Sequence, residues 1–122
     1  MTVYEAAGGD ATFERIVELF YAGVERDPLL RPLYPEDLGP GKRHLTLFLI
    51  QFFGGHPTYS QLRGHPRLRA RHLPFPITRG VRDAWVRNMT AALDQVDPPA
   101  DARAALDQYF DDAATFLINQ PV

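Results

Sequence analysis

The sequence predicts an all-α fold, and three observations carry the prediction. Apolar side chains recur at helical spacing in several segments, no run alternates apolar and polar residues long enough to demand a sheet, and prolines and glycines gather at the segment ends. With 122 residues, 45% of them hydrophobic, the chain fits one globular domain spanning residues 1–122. Such a domain buries about two-thirds of its unfolded surface.

After Gly8-Gly9, Asp10 is a candidate cap for a helix in which Phe13, Ile16, Val17, Phe20 and Val24 share one face and Tyr21 lies beside it. Asp27-Pro28 ends that helix and starts a short turn carrying Leu29, Leu30 and Leu33 to Tyr34-Pro35, followed by a loop over 36–41. From Pro40 a second periodic segment runs through Leu45, Phe48, Leu49 and Phe52 and stops at Gly54-Gly55. His56-Pro57 and Gly64-His65-Pro66 bracket a loop containing Tyr59, and Pro66 opens a short helix ending at His72. The stretch Leu73-Pro74-Phe75-Pro76-Ile77 reads as extended, Thr78 as a cap, and Val81, Trp85, Met89, Ala92, Leu93 and Val96 as one face of the next helix. That helix ends at Asp97-Pro98-Pro99. Asp101 caps the last one, with Ala102, Ala105, Leu106, Tyr109, Phe110, Ala113, Phe116 and Leu117 on its inner side.

Composition removes several function classes. A formal charge of −2 gives no global attraction to nucleic acid or to an anionic membrane. The chain has no cysteine, which excludes disulfides, thiolate ligands and covalent CxxCH haem attachment. The N-terminus lacks a basic patch followed by an apolar core, and no segment approaches the roughly 20 apolar residues of a membrane span, so a cytoplasmic protein is expected.

The stretch from 54 to 78 is poor in regular structure for a compact domain, which marks it as functional or ligand-supported. Within it, Arg67-Leu68-Arg69-Ala70-Arg71-His72 is stopped at once by Pro74 and Pro76. Proline disfavours helical geometry in the residue before it, so Leu73 and Phe75 leave the helix and His72 occupies its last turn. A neutral imidazole there can bind a metal, and neighbouring arginines can hold a carboxylate-bearing cofactor. Haem, with an iron and two propionates, needs both. Composition alone favours the plainer reading of a surface histidine capping its helix. The arginines and prolines around His72 weigh against that reading. His56 and His65 precede prolines in loops and read as structural, whereas His44 lies one position before an apolar stripe.

Gly8-Gly9, Phe20-Tyr21, Leu33-Tyr34-Pro35-Glu36-Asp37, Gln51-Phe52-Phe53-Gly54-Gly55, Tyr59, Gly64-His65-Pro66-Arg67-Leu68-Arg69-Ala70-Arg71-His72-Leu73-Pro74-Phe75 and Asp83-Ala84-Trp85 stand in one order and spacing. In this the chain resembles the truncated haemoglobins of group II, the O type, over essentially its whole length. The resemblance implies a truncated globin fold, a two-over-two helical sandwich around non-covalent haem b, with His72 as the iron's protein ligand. It places Tyr21, Tyr34 and Trp85 on the distal side as hydrogen-bond donors to a bound diatomic ligand, although a Tyr or Trp on an apolar face is usually ordinary core. It puts Gly41 where the distal helix faces the pocket mouth and Leu45 above the iron. Phe48 and Leu49 would pack against the haem, as would Leu68, Leu73, Phe75 and Met89. Candidates for the propionates are His44, Tyr59, Arg69 and Arg71, because guanidinium can bond a carboxylate twice and phenol can add one bond more. Spacing leaves open which arginine points inward.

The expected activity is reversible binding of dioxygen, with CO and NO as further ligands. The same donors could polarise peroxide, so a haem-dependent peroxidase or nitric-oxide dioxygenase is the alternative. Turnover of that kind needs an external reductase, because the chain has no flavin or nicotinamide domain. A remote alternative is an RNA- or protein-binding helical module using Arg63, Arg67, Arg69 and Arg71, against which stand the negative net charge and the lack of exposed aromatic partners. Some relatives assemble, and the exposed sides of the first, fifth or last helix are candidates for a homo-oligomer contact.

Overall fold

The computed structural model describes residues 1–121, and among them it is helical throughout, with no strand. The elements are α1 (Val3–Ala7), α2 (Asp10–Arg26), α3 (Gly39–Phe52), α4 (Thr58–Arg63), α5 (Leu68–His72), α6 (Arg79–Val96) and α7 (Ala100–Phe116), with a 3-10 turn at Arg31–Leu33. Helix α2 packs on both α3 and α6, and α6 packs on α7, so two helix pairs meet through the α2–α6 contact. This is the two-over-two arrangement. No helix among the described residues is long and apolar enough to cross a membrane.

The α2 and α6 stripes read from periodicity form the centre of the core, whereas Phe52 of α3 and Phe116 of α7, expected on inner faces, stand 52% and 55% exposed. Phe13, Ile16, Phe20 and Val24 of α2 meet Ala84, Met89, Ala92 and Leu93 of α6, and all eight are at most 1% exposed. Each large side chain buried to this degree contributes about 1.5–3 kcal/mol of hydrophobic stabilisation. Thr78 caps α6 as expected, its hydroxyl accepting from the Val81 N–H at 3.1 Å.

Several boundaries differ from expectation, each for a local physical reason. Helix α1 was not anticipated, and it is a capping box that forms it. The Thr2 hydroxyl accepts from the Glu5 N–H, and the Glu5 carboxylate accepts from the Thr2 N–H. Gly8 and Gly9, with φ of 121° and 77°, then turn the chain into α2 through backbone that L side chains rarely adopt. Asp10 does not cap α2. Gly9 stands at the cap, and the Asp10 carboxylate instead accepts the Tyr4 hydroxyl at 2.6 Å and meets His56 Nε2 at 3.1 Å. Helix α4 replaces the expected loop around Tyr59. Its turn is held from α3, where the Gln51 amide bonds both the Ser60 hydroxyl (2.7 Å) and the Ser60 N–H (2.9 Å).

Helix α5 is capped by Arg67 in left-handed backbone, so Pro66 precedes the cap instead of opening the helix. Leu73 keeps right-handed torsions in spite of Pro74, because its N–H still bonds the Arg69 carbonyl at 3.1 Å. Phe75 N–H then bonds the His72 carbonyl at 3.0 Å, making a turn where extended chain was expected. Pro99 caps α7, leaving Asp101 inside its first turn, where a carboxylate favours the helix dipole.

Candidate functional site

A cavity of about 530 Å3 opens among α2, α3, the end of α4, α5, α6 and the end of α7. That volume lies within the range of small-molecule sites. Leu30, Leu33, Phe75, Ile77, Val81 and Leu117 make an apolar lining into which a few polar groups converge from separate elements.

His72 comes from α5. Its Nδ1 lies 2.6 Å from the Leu68 carbonyl one turn earlier, which requires that nitrogen to carry the proton and donate it. In the neutral ring Nε2 is then the nitrogen that bears the lone pair, on a residue that lines the cavity, the tautomer a metal ligand needs. The short helix is tied down by Asn119. Its amide donates to the carbonyls of His72 (3.3 Å) and Phe75 (2.9 Å), and its side-chain oxygen accepts from the Ile77 N–H at 2.9 Å.

Tyr21 of α2, Tyr34 after the 3-10 turn and Trp85 of α6 line the same cavity. Their rings pack in a chain: Trp85 on Phe20 at 4.9 Å, Phe20 on Tyr21 at 5.5 Å, and Tyr21 on Tyr34 at 5.7 Å. Phe20 is fully buried, so the aromatic row is anchored in the core. Burial pushes the Tyr21 phenol up to about 12. Tyr34 is raised as well, by burial first and then by Tyr21, with a hydrogen bond from Trp85 acting in the opposite direction. Both phenols therefore keep their protons, and their capacity to donate, far above neutral pH. The Tyr34 loop owes its shape to Arg31, whose guanidinium donates to the carbonyls of Tyr34, Pro35 and Glu36.

Among the described residues, two arginines without a carboxylate partner line the cavity, Arg71 and Arg63. Arg71 donates from Nε to the Pro66 carbonyl at 2.7 Å. Among the described residues Arg63 makes one side-chain hydrogen bond, Nη1 to His44 Nε2 at 3.2 Å, and its Nε is buried without a partner there. A buried guanidinium N–H left unbonded costs free energy until an anion meets it. Burial first, then Arg63, Arg43 and Arg71, holds the His44 imidazole below its usual range, so His44 is neutral beside these arginines. Arg82 also borders the cavity but is engaged by Asp83, Asp111 and Thr115.

The structure thus brings Tyr21, Tyr34, Gly41, Arg71, His72, Phe75 and Trp85 together around one space. The other candidates lie elsewhere. Arg69 is turned away, its guanidinium 5.2 Å over the Phe116 ring in a separate groove. Leu49 and Met89 are core residues, Tyr59 is buried against Phe48, and Leu73 is 61% exposed. Leu45 packs on the core, and neither it nor His44 is in the cavity lining. Sequence reasoning missed Arg63 as a cavity residue, and missed Arg31 and Asn119 altogether. Arg63 closes α4, a helix that periodicity over so few residues does not reveal. Arg31 and Asn119 act on backbone distant from any motif.

The donor set suits a haem: one neutral imidazole nitrogen, apolar walls, and a buried guanidinium N–H that lacks the anion a propionate would provide. Comparisons with known proteins agree. The family model of the bacterial-like globins matches residues 2–118. The group 2 truncated haemoglobin YjbI of Bacillus subtilis (strain 168) is 42% identical over 117 residues, covering 96% of this chain and 88% of that one. Among solved structures, the haemoglobin of the thermophilic phototroph Chloroflexus aurantiacus superposes with a TM-score of 0.97 at 56% identity, over 98% of this chain and 99% of that one. The truncated oxygen-avid haemoglobin of Bacillus subtilis gives 0.93 at 40% identity, over 98% and 100%. The chain belongs to the bacterial-like globin family, among the group II truncated haemoglobins.

Proposed function

We propose that this protein holds haem b non-covalently in the cavity, with His72 as the iron ligand, and reversibly binds dioxygen and other diatomic gases. The observation that carries this reading is the state of His72. Its Nδ1 proton is committed to the Leu68 carbonyl, so Nε2 offers a lone pair from a residue lining an apolar cavity. When bound, the haem iron supplies an open coordination position at which a diatomic ligand can attach.

The chain's own residues do the rest. Arg63 and Arg71 receive the propionates, and Arg63 thereby gains the partner that its buried Nε lacks. Leu30, Leu33, Phe75 and Val81 exclude water from the ring faces. Tyr21, Tyr34 and Trp85 hold protons where negative charge accumulates on a polar diatomic ligand, and burial keeps both phenols protonated. Such donors slow release, in keeping with the oxygen-avid character of the Bacillus subtilis relative.

Trp85 is the only tryptophan and it borders the cavity, which makes its fluorescence a direct probe. Titrating the haem-free protein with hemin should quench that emission to a sharp break at one equivalent. Emission that declines without saturation would contradict a defined site.

A further inference from the structure

Gly41 belongs to the first turn of α3 and has ordinary helical backbone, so nothing in its torsions calls for glycine. What calls for it is Tyr21. A Cβ built on Gly41 would lie 2.8 Å from the Tyr21 hydroxyl oxygen, 3.6 Å from Cζ and 3.8 Å from Cε1. The first distance is too short for any real side chain, whereas the other two are ordinary contacts. The conflict is confined to a single atom, the phenol oxygen. Neither neighbour can give way cheaply: the Tyr21 ring is wedged edge-on between Phe20 and Tyr34, and the Gly41 backbone is fixed in the helix. No residue among those described bonds the Tyr21 hydroxyl, so packing alone determines where it points.

We infer that Gly41 is the positioning residue for the Tyr21 hydroxyl: the missing Cβ is the space that lets the phenol stand at its place in the cavity, and any larger residue there displaces the donor. The part of this concerning ligand release rests on the donor role proposed above. The packing part does not.

A double-mutant cycle separates the two. In Gly41→Ala the added methyl meets the hydroxyl, but in Gly41→Ala/Tyr21→Phe the nearest remaining ring atom is Cζ, at ordinary contact distance. Thermal midpoints of the full chain, with and without hemin, should fall by about 2–6 °C for Gly41→Ala alone. In the Tyr21→Phe background the same change should leave the midpoint level or raise it, since alanine favours the helix. Oxygen dissociation, followed by stopped-flow, should quicken at least about threefold for Gly41→Ala alone and change less than about twofold when Tyr21 is already phenylalanine. Equal midpoint shifts in both backgrounds overturn the inference. So does accelerated release in Tyr21→Phe with none in Gly41→Ala. If Tyr21→Phe leaves release unchanged while the midpoints couple as stated, the positioning holds and the donor role fails.

Discussion

The helices that carry Tyr21 and Trp85 and the segment that carries His72 are built on opposite principles. Across α2 and α6, eight facing side chains are at most 1% exposed, and Tyr21 and Trp85 project from this self-sufficient frame. Helix α5, by contrast, contributes no buried residue, and it is five residues long, well short of the ~12–15 at which isolated helices become even marginal. Leu73 and Phe75 after it stand 61% and 42% exposed. His72 is therefore held by hydrogen bonds, from Asn119 to its carbonyl and from its own Nδ1 to the Leu68 carbonyl. On the function proposed above, the difference teaches that the donors are preorganised by the fold, while the iron ligand would be ordered in part by the cofactor.

The largest effect should come from removing haem. At a thousandfold excess over Kd, a bound cofactor stabilises the fold by about 4 kcal/mol. Hydrogen exchange on the haem-free protein should show residues 64–77 losing protection, with α2 and α6 retaining theirs. Uniform loss across both regions would erase the contrast. On the preorganised side, Tyr21→Phe combined with Trp85→Phe should speed oxygen release by about 30- to 150-fold, from two donors of about 1–1.5 kcal/mol each. The optical spectrum should barely change.

On the cofactor-ordered side, Arg63→Met removes a charge-assisted bond worth about 1.5 kcal/mol, so hemin should transfer to an acceptor protein about tenfold faster. An unaltered rate would assign the buried guanidinium a purely structural role. The smallest effect concerns acid. His44 has its pKa lowered from 6.5, so as pH falls through 6.5 the unfolded chain takes up a proton that the folded protein still refuses. Stability of the haem-free protein should therefore decline from about pH 6.5 downward. In His44→Gln, urea midpoints at pH 7.5 and 5.5 should lie closer together than in the parent.

Legibility in the sequence follows the same division. The α2, α3, α6 and α7 stripes were readable because burial on one helix face imposes a period, and Phe13, Phe20, Met89 and Leu93 occupy the core it predicts. The end of the helix at His72 is legible in the prolines that follow it, Pro74 and Pro76. What escaped were features set by contacts between distant residues: α4, stabilised by Gln51 reaching Ser60; the Arg63 side chain; and Asn119, which bonds residues 42 to 47 positions away. Helix α1 is a different case. Its Thr2-Val3-Tyr4-Glu5 box is a local signal, legible in four consecutive residues. Which arginine faces the cavity depends on packing, Arg69 lying over Phe116 while Arg71 lines the cavity, and spacing carries no sign of that.

The central claim is that His72 ligates a haem iron whose other side is open to gas. Absorption spectra of the dithionite-reduced protein, recorded before and after carbon monoxide and repeated on His72→Ala, test it most directly. The parent should give a five-coordinate ferrous spectrum that converts to a sharp carbonyl Soret band, and His72→Ala should lose haem or show a spectrum without a histidine ligand. A parent that is already six-coordinate, or a His72→Ala protein with unchanged spectra, would contradict the assignment.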